Sequence, residues 1–280
     1  MTPLVVLAVL TAALTHAAWN AIAHGIKDQL LAFTLVGGGG ALCAIAMAPF
    51  AAVPHRGAWP FLAASVVIHL AYQYLLMRSF RLGEFGQVYP VARGVAPLAV
   101  TVLAAVFVSE RPDAWQASGV AVASAGLGGV ALWGLRGRRP NWPALAAAVG
   151  TGLTIAGYTV VDGVGVRDSG SSLGYITWLM LLQGLAIPLL AITVRRGRLL
   201  AELRPVAARG LLGGALSTAA YGLVLWAQTR APLAPVAALR ETSIIAGAAI
   251  GTLVFKERFG RPRLLAAVVV VTGIALMLAG

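Results

Sequence analysis

Residues 84–111 read EFGQVYPVARGVAPLAVTVLAAVFVSER, and this stretch decides the fold. It is long enough to cross a bilayer, for which about 20 apolar residues suffice. It nevertheless carries Arg93 between Pro90 and Pro97. A charged side chain at the centre of a membrane helix costs about 2.5–3.5 kcal/mol on insertion scales, so it rarely persists without a task. The pattern returns at 231–258 as APLAPVAALRETSIIAGAAIGTLVFKER. One shift of 147 residues, from Arg93 to Arg240, also places Glu110 on Glu257, Arg111 on Arg258 and Gly126 on Gly273. Two basic, proline-loosened helices in matching halves point to a path for a polar solute.

The composition agrees with a bilayer as solvent. The chain is 59% hydrophobic and 11% charged, with a mean hydropathy of +0.86, where soluble domains carry about 25% charged residues. The net charge of +12 invites a nucleic-acid reading. The basic residues sit in short loops between apolar runs, however, so orientation signals and attraction to anionic lipid explain them better, and no nucleic-acid partner is expected. The single cysteine, Cys43, excludes an internal disulfide or a multi-cysteine metal site. The N-terminal MTPLVVLAVLTAALTHAAWN lacks a basic leader region and reads as a first span rather than a cleaved signal.

Hydropathy predicts an all-α integral membrane protein with ten crossings: roughly 3–23, 30–53, 59–80, 85–108, 115–134, 142–162, 172–194, 206–229, 233–255 and 262–279. With the 147-residue echo, this divides the chain into a five-helix repeat at 1–134, a basic connector at 135–141 and a second five-helix repeat at 142–280. Five is odd, so the second repeat enters the membrane upside down, a recurring plan among transporters. Odd-numbered loops carry fifteen lysines and arginines, and even-numbered loops carry only Arg56, Arg111, Arg167 and Arg230. That asymmetry predicts odd loops in the cytoplasm and both termini outside.

Polar side chains recur at helical spacing inside these spans. His16, Asn20 and His24 share one face of the first helix, with Trp19 and Lys27 beside them. A lipid-facing stripe of that kind would be costly, so it should face the interior, where interhelical hydrogen bonding alone is the alternative to solute binding. His16 and His24 stand about 12 Å apart along the axis with no carboxylate cluster, so no metal site is expected. The third span offers His69, Tyr72 and Gln73, the fourth Tyr89 one turn before Arg93, and the sixth Thr154, Tyr158 and Asp162. The eighth brings Ser217, Tyr221 and Gln228 to one side.

Arg93 has a structural alternative, pairing with a helix C-terminus or with Asp162. Arg240 has the adjacent Glu241, although neighbours on a helix do not face each other. The repeat relation favours function: inversion would bring both arginines toward one cavity with too few acids to neutralise them. Arginine grips carboxylate or phosphate in a bidentate fork, so an anionic or zwitterionic solute is expected. Glu110-Arg111 and Glu257-Arg258 read as end-of-span ion pairs or turn signals.

The two halves, each with a fourth helix ending in Ser109-Glu110-Arg111 or Lys256-Glu257-Arg258 and a glycine-rich fifth helix, resemble the EamA-like family of the drug/metabolite transporter superfamily. The segments 71–131 and 220–278 carry most of the resemblance. His16-Ala-Ala-Trp19-Asn20 through Lys27 is similar to the opening of one branch, and Tyr158-Thr-Val-Val-Asp162-Gly163 to its counterpart in the second half. The resemblance implies secondary transport of small metabolites by rocking of the halves, with proton coupling or exchange in some members. Several members are drawn with cytoplasmic termini, against the charge count here.

These readings converge on a transporter in the cell membrane, non-enzymatic and without cofactor, as monomer or homodimer. Arg93 and Arg240 are expected to hold an anionic group of a small amino acid or organic acid. His16, Trp19, Asn20, Tyr72, Tyr89, Tyr158 and Tyr221 are expected to line the pocket, with Asp162 and Glu241 as proton-coupling candidates. The competing class is a membrane enzyme acting on lipid-linked phosphates or head groups. It would need clustered acids for a metal or a nucleophile with its base, whereas the nine Asp and Glu residues are scattered.

Overall fold

In a lipid-like solvent each backbone N–H and C=O must be satisfied within its own segment, which drives apolar runs into helices. The computed structural model describes residues 1–83, 85–133, 141–253 and 261–279, and these are helical with short connections. The helices are α1 (Pro3–His24), α2 (Gln29–Met47), α3 (Trp59–Leu82), α4 (Phe85–Phe107), α5 (Ala114–Trp133), α6 (Trp142–Asp168), α7 (Ser172–Gly184), α8 (Ala186–Arg195), α9 (Leu199–Leu203), α10 (Ala207–Gln228), α11 (Leu233–Arg240), α12 (Ser243–Leu253) and α13 (Arg261–Ala279). Most of the basic connector and the Glu257-Arg258 pair lie outside the described residues.

Six helical runs among the described residues are long and apolar enough to cross a membrane. The last of them, Ser172–Gln228, contains α7, α8 and α10. Three boundaries differ from the hydropathy reading. The span at 172–194 is two helices that meet at Leu185, and the span at 233–255 breaks after Arg240. The span at 142–162 continues to Asp168, so Arg167 belongs to the last turn of α6 rather than to a loop.

Burial departs from that of a water-soluble protein at both the surface and the core. Leu4, Leu7, Leu14, Val67, Val106 and Phe107 face outward, while Arg93, Asp162, Glu241, Gln228 and Asn20 are buried. An apolar exterior around a core that holds buried charges is stable only in lipid, where leucine surface costs nothing. The protein is a multi-pass membrane protein.

Without a hydrophobic drive between helices, association relies on close backbone approach. Glycines supply it here. A Cβ on Gly119 of α5 would sit 2.5 Å from the Gly273 carbonyl oxygen of α13, and one on Gly184 of α7 would sit 2.7 Å from the Gly37 carbonyl oxygen of α2. The pairs α3–α6, α1–α10, α4–α6 and α2–α10 complete the bundle.

The connections sort to two ends. At one end Asp28 caps α2 through Leu30 N and Leu31 N and pairs with Arg195, which also reaches Glu202 at 3.3 Å. At this end, too, Asn141 caps α6 and donates to Leu82 O at 2.7 Å. At the other end His55 N donates to Ser169 O, and Arg167 joins Glu110, Gln228 O and Ala231 O. Odd-numbered loops thus touch odd, and even touch even.

Candidate functional site

The site forms where α4 faces the break between α11 and α12. A helix that stops inside the bundle leaves carbonyls without partners. Part of that demand is met locally by i to i+3 bonds, from Glu241 N to Ala238 O at 2.9 Å and from Thr242 N to Leu239 O at 3.2 Å, the tighter turn common at helix ends. The rest comes from α4. Arg93 Nη2 donates to Arg240 O at 3.0 Å and lies 3.0 Å from Glu241 Oε1. One turn earlier, Tyr89 donates to Ser243 Oγ at 3.2 Å. A cation at the C-terminus of α11 and a carboxylate before the N-terminus of α12 both suit the helix dipoles.

This geometry alters two sequence expectations. Glu241 pairs with Arg93 across the bundle, not with its neighbour Arg240. Arg93 pairs with Glu241 rather than with Asp162, and it is not among the residues lining the cavity into which Arg240 turns. Its Nε and Nη1 make no hydrogen bond with protein atoms.

Arg240 itself turns into a cavity of about 60 Å³, room for a few waters. Its guanidinium lies over the Tyr221 ring at 6.0 Å. His69 stacks on Tyr158 with ring centroids 4.1 Å apart, and Tyr72 and Tyr221 meet that pair edge-on. Trp19 Nε1 donates to His16 Nδ1 at 3.2 Å, which requires that nitrogen to be unprotonated. Of the nine residues expected to bind solute, His16, Trp19, Tyr72, Tyr158, Tyr221 and Arg240 line this cavity. Arg93 and Tyr89 stand behind it, holding the break. Asn20 is buried and donates to His16 O in its own helix.

Asp162 is fully buried one turn beyond Tyr158 and accepts hydrogen bonds from Tyr175 at 2.8 Å and from Tyr221. It ties α6 to α7 and α10, and Tyr221, which bonds it, lines the cavity while Asp162 is not among the lining residues. Among the described residues, no three His, Cys, Asp or Glu side chains come together to hold a metal.

Some wall residues carry no polar signal in the sequence. Phe33, Val36, Gly37 and Gly40 give α2 a share of the cavity, and within the apolar 22-residue run Gln29–Phe50 nothing polar marks them apart from lipid-facing positions. Gln183 was visible as a polar residue in an apolar helix. Its Oε1 is buried without a hydrogen-bond partner, and its Nε2 meets only the Met180 sulfur at 3.5 Å. The lining occupies the odd-loop half of α1, α2 and α7.

The family model for the EamA-like transporter family matches residues 142–279. No curated protein matches the chain in sequence. A crystal structure of a protein 17% identical superposes with a TM-score of 0.73 over 97% of this chain and 98% of that one, which establishes a shared fold.

Proposed function

The chain belongs to the EamA-like transporter family through residues 142–279, and from that premise we propose that it is a secondary transporter moving a small anionic or zwitterionic metabolite, such as an amino acid or organic acid, by alternating access. Members of this family are transporters rather than enzymes. The observation that carries the solute class is Arg240, buried at a helix break yet turned into an aromatic-walled cavity. Unwound segments of discontinuous helices near the bundle centre are where transporters place solute sites.

We read the architecture as ten crossings in two inverted five-helix repeats, with α7 and α8 forming the seventh crossing and α11 and α12 the ninth. Two features support this. Loops of like parity gather at the same end of the bundle. Replacing each crossing by the one five places on also turns the pair α3–α6 into α10–α1, α4–α6 into α11/α12–α1, and α2–α10 into α7–α3, all of which pack together. The charge asymmetry favours cytoplasmic odd loops and external termini.

Within this reading Arg240 is the anion anchor, Arg93 and Tyr89 fix the break that presents it, and His16, Trp19, Tyr72, Tyr158 and Tyr221 shape the wall. Asn20 steadies α1. Asp162 and Glu241 are the carboxylates assigned to proton coupling. The test is counterflow in proteoliposomes over a panel of amino and organic acids. At least one should exchange, and Arg240→Ala should abolish that exchange while the protein remains monodisperse. Flux indifferent to Arg240→Ala would sink the assignment.

A further inference from the structure

The charges facing the cavity define its solute more narrowly, an inference that rests on the transport reading above. Among the described residues lining it, Arg240 is the one formally charged side chain. Arg93 is paired with Glu241 at 3.0 Å, and Asp162 is not among the lining residues and is engaged by two tyrosine hydroxyls. His16 is held neutral on its Nδ1 side by the Trp19 N–H. The wall therefore offers one positive charge and no carboxylate.

We infer that the cavity selects a monoanion carrying a neutral hydroxyl or oxo group, a hydroxy or oxo monocarboxylate, over both zwitterions and dianions. A desolvated charge without a partner is costly in a low-dielectric site. A monocarboxylate on the Arg240 fork leaves none. An amino acid adds an ammonium group that meets no carboxylate, and a dianion adds a second negative charge that meets no second cation. Aromatic rings bind ammonium groups through their faces, but His69 and Tyr158 each have one face covered by the other, and the Arg240 cation already lies over Tyr221. The neutral function is met by Gln183, whose amide has an unpaired acceptor and a donor spent only on a sulfur.

The experiment compares L-lactate with L-alanine, in which an ammonium replaces the hydroxyl, and with L-malate, which adds a second carboxylate on C3, as thermal stabilisers of the purified full-length chain in detergent. Lactate should stabilise with a half-saturating concentration at least about tenfold below the other two, and Arg240→Gln should remove its effect. Where Arg240→Gln lowers the baseline melting temperature, Arg240→Lys, which keeps the charge but loses the fork, should weaken lactate by about tenfold. Alanine or malate binding as tightly as lactate overturns the monoanion class while leaving the anion-gripping transporter intact. No stabilisation by any of the three overturns the monoanion class, and counterflow then decides transport separately. Lactate binding that survives both substitutions removes Arg240 from the site.

Discussion

Arg93 Nη2 donates at 3.0 Å to the backbone carbonyl of Arg240, the residue 147 positions further along the chain. The two arginines therefore meet as side chain and backbone, and on the proposed reading as support and solute anchor. One satisfies the broken end of α11, and the other, carried on that end, faces the cavity. Their roles have diverged because only the second half of the chain breaks its arginine helix; α4 runs unbroken from Phe85 to Phe107 despite Pro90 and Pro97.

Removing Arg93 should therefore cost stability rather than affinity alone. Arg93→Ala leaves Glu241 charged and buried, a situation worth about 3–5 kcal/mol of destabilisation. Thermal melting in detergent should show a large drop, and Arg93→Ala with Glu241→Ala should recover part of it. A single mutant that melts like the parent would refute the supporting role.

Asp162 should behave differently. Asp162→Asn keeps an oxygen acceptor for one of the two tyrosines, which donate to different carboxylate oxygens, and abolishes the titratable charge. Solute binding should persist, while the response of flux to an imposed proton gradient should vanish. If the gradient response is unchanged in proteoliposomes, coupling does not run through this carboxylate. Tyr175→Phe, which removes one of its donors, should cost about 1 kcal/mol.

Glu110, in the connection after α4, links the end of α6 to the start of α11: Oε1 meets Arg167 at 2.7 Å and Oε2 accepts from Leu233 N at 2.7 Å. The pair is partly exposed, so Glu110→Ala should cost no more than about 1–2 kcal/mol. Its larger effect should be on access. With Cys43 replaced by Ala, a cysteine at Ser217 should react with membrane-impermeant thiol reagent mainly from the odd-loop side. Glu110→Ala should raise labelling from the even-loop side, and labelling that stays one-sided would count against an even-end closure held by Glu110.

The glycine crossing between α5 and α13 is open to a steric test. A Cβ on Gly273 would lie 2.6 Å from both Ala123 N and Gly119 O, so Gly273→Val forces two backbones apart. Overpacking of this kind costs about 1–3 kcal/mol. Neither helix lines the cavity, so the melting temperature should fall while the half-saturating concentration for solute stays constant. A change in that concentration without a change in melting would contradict the placement.

Much of this was legible in advance. Apolar runs punctuated by basic loops announce a helical membrane protein, and polar residues at spacings of four announce inward faces, as with Tyr158 and Asp162. The breaks were hidden. Hydropathy averages over windows, and both Leu185 and the Arg240–Thr242 turn sit inside runs that remain apolar overall. The Arg93–Glu241 pair was hidden for another reason: adjacency weighed Glu241 against Arg240, whereas distant contacts depend on where the chain bends. The glycines and aliphatics of α2 were illegible because the same residues suit lipid, a helix crossing or a cavity wall.

The break at Arg240 has a mechanical consequence. One half presents its arginine on an unbroken helix, the other on a broken one whose joint is the residue proposed to meet the solute. A ligand gripping Arg240 acts on the joint directly, so movement of α12 against α11 needs no relay from a remote sensor. Load and hinge coincide.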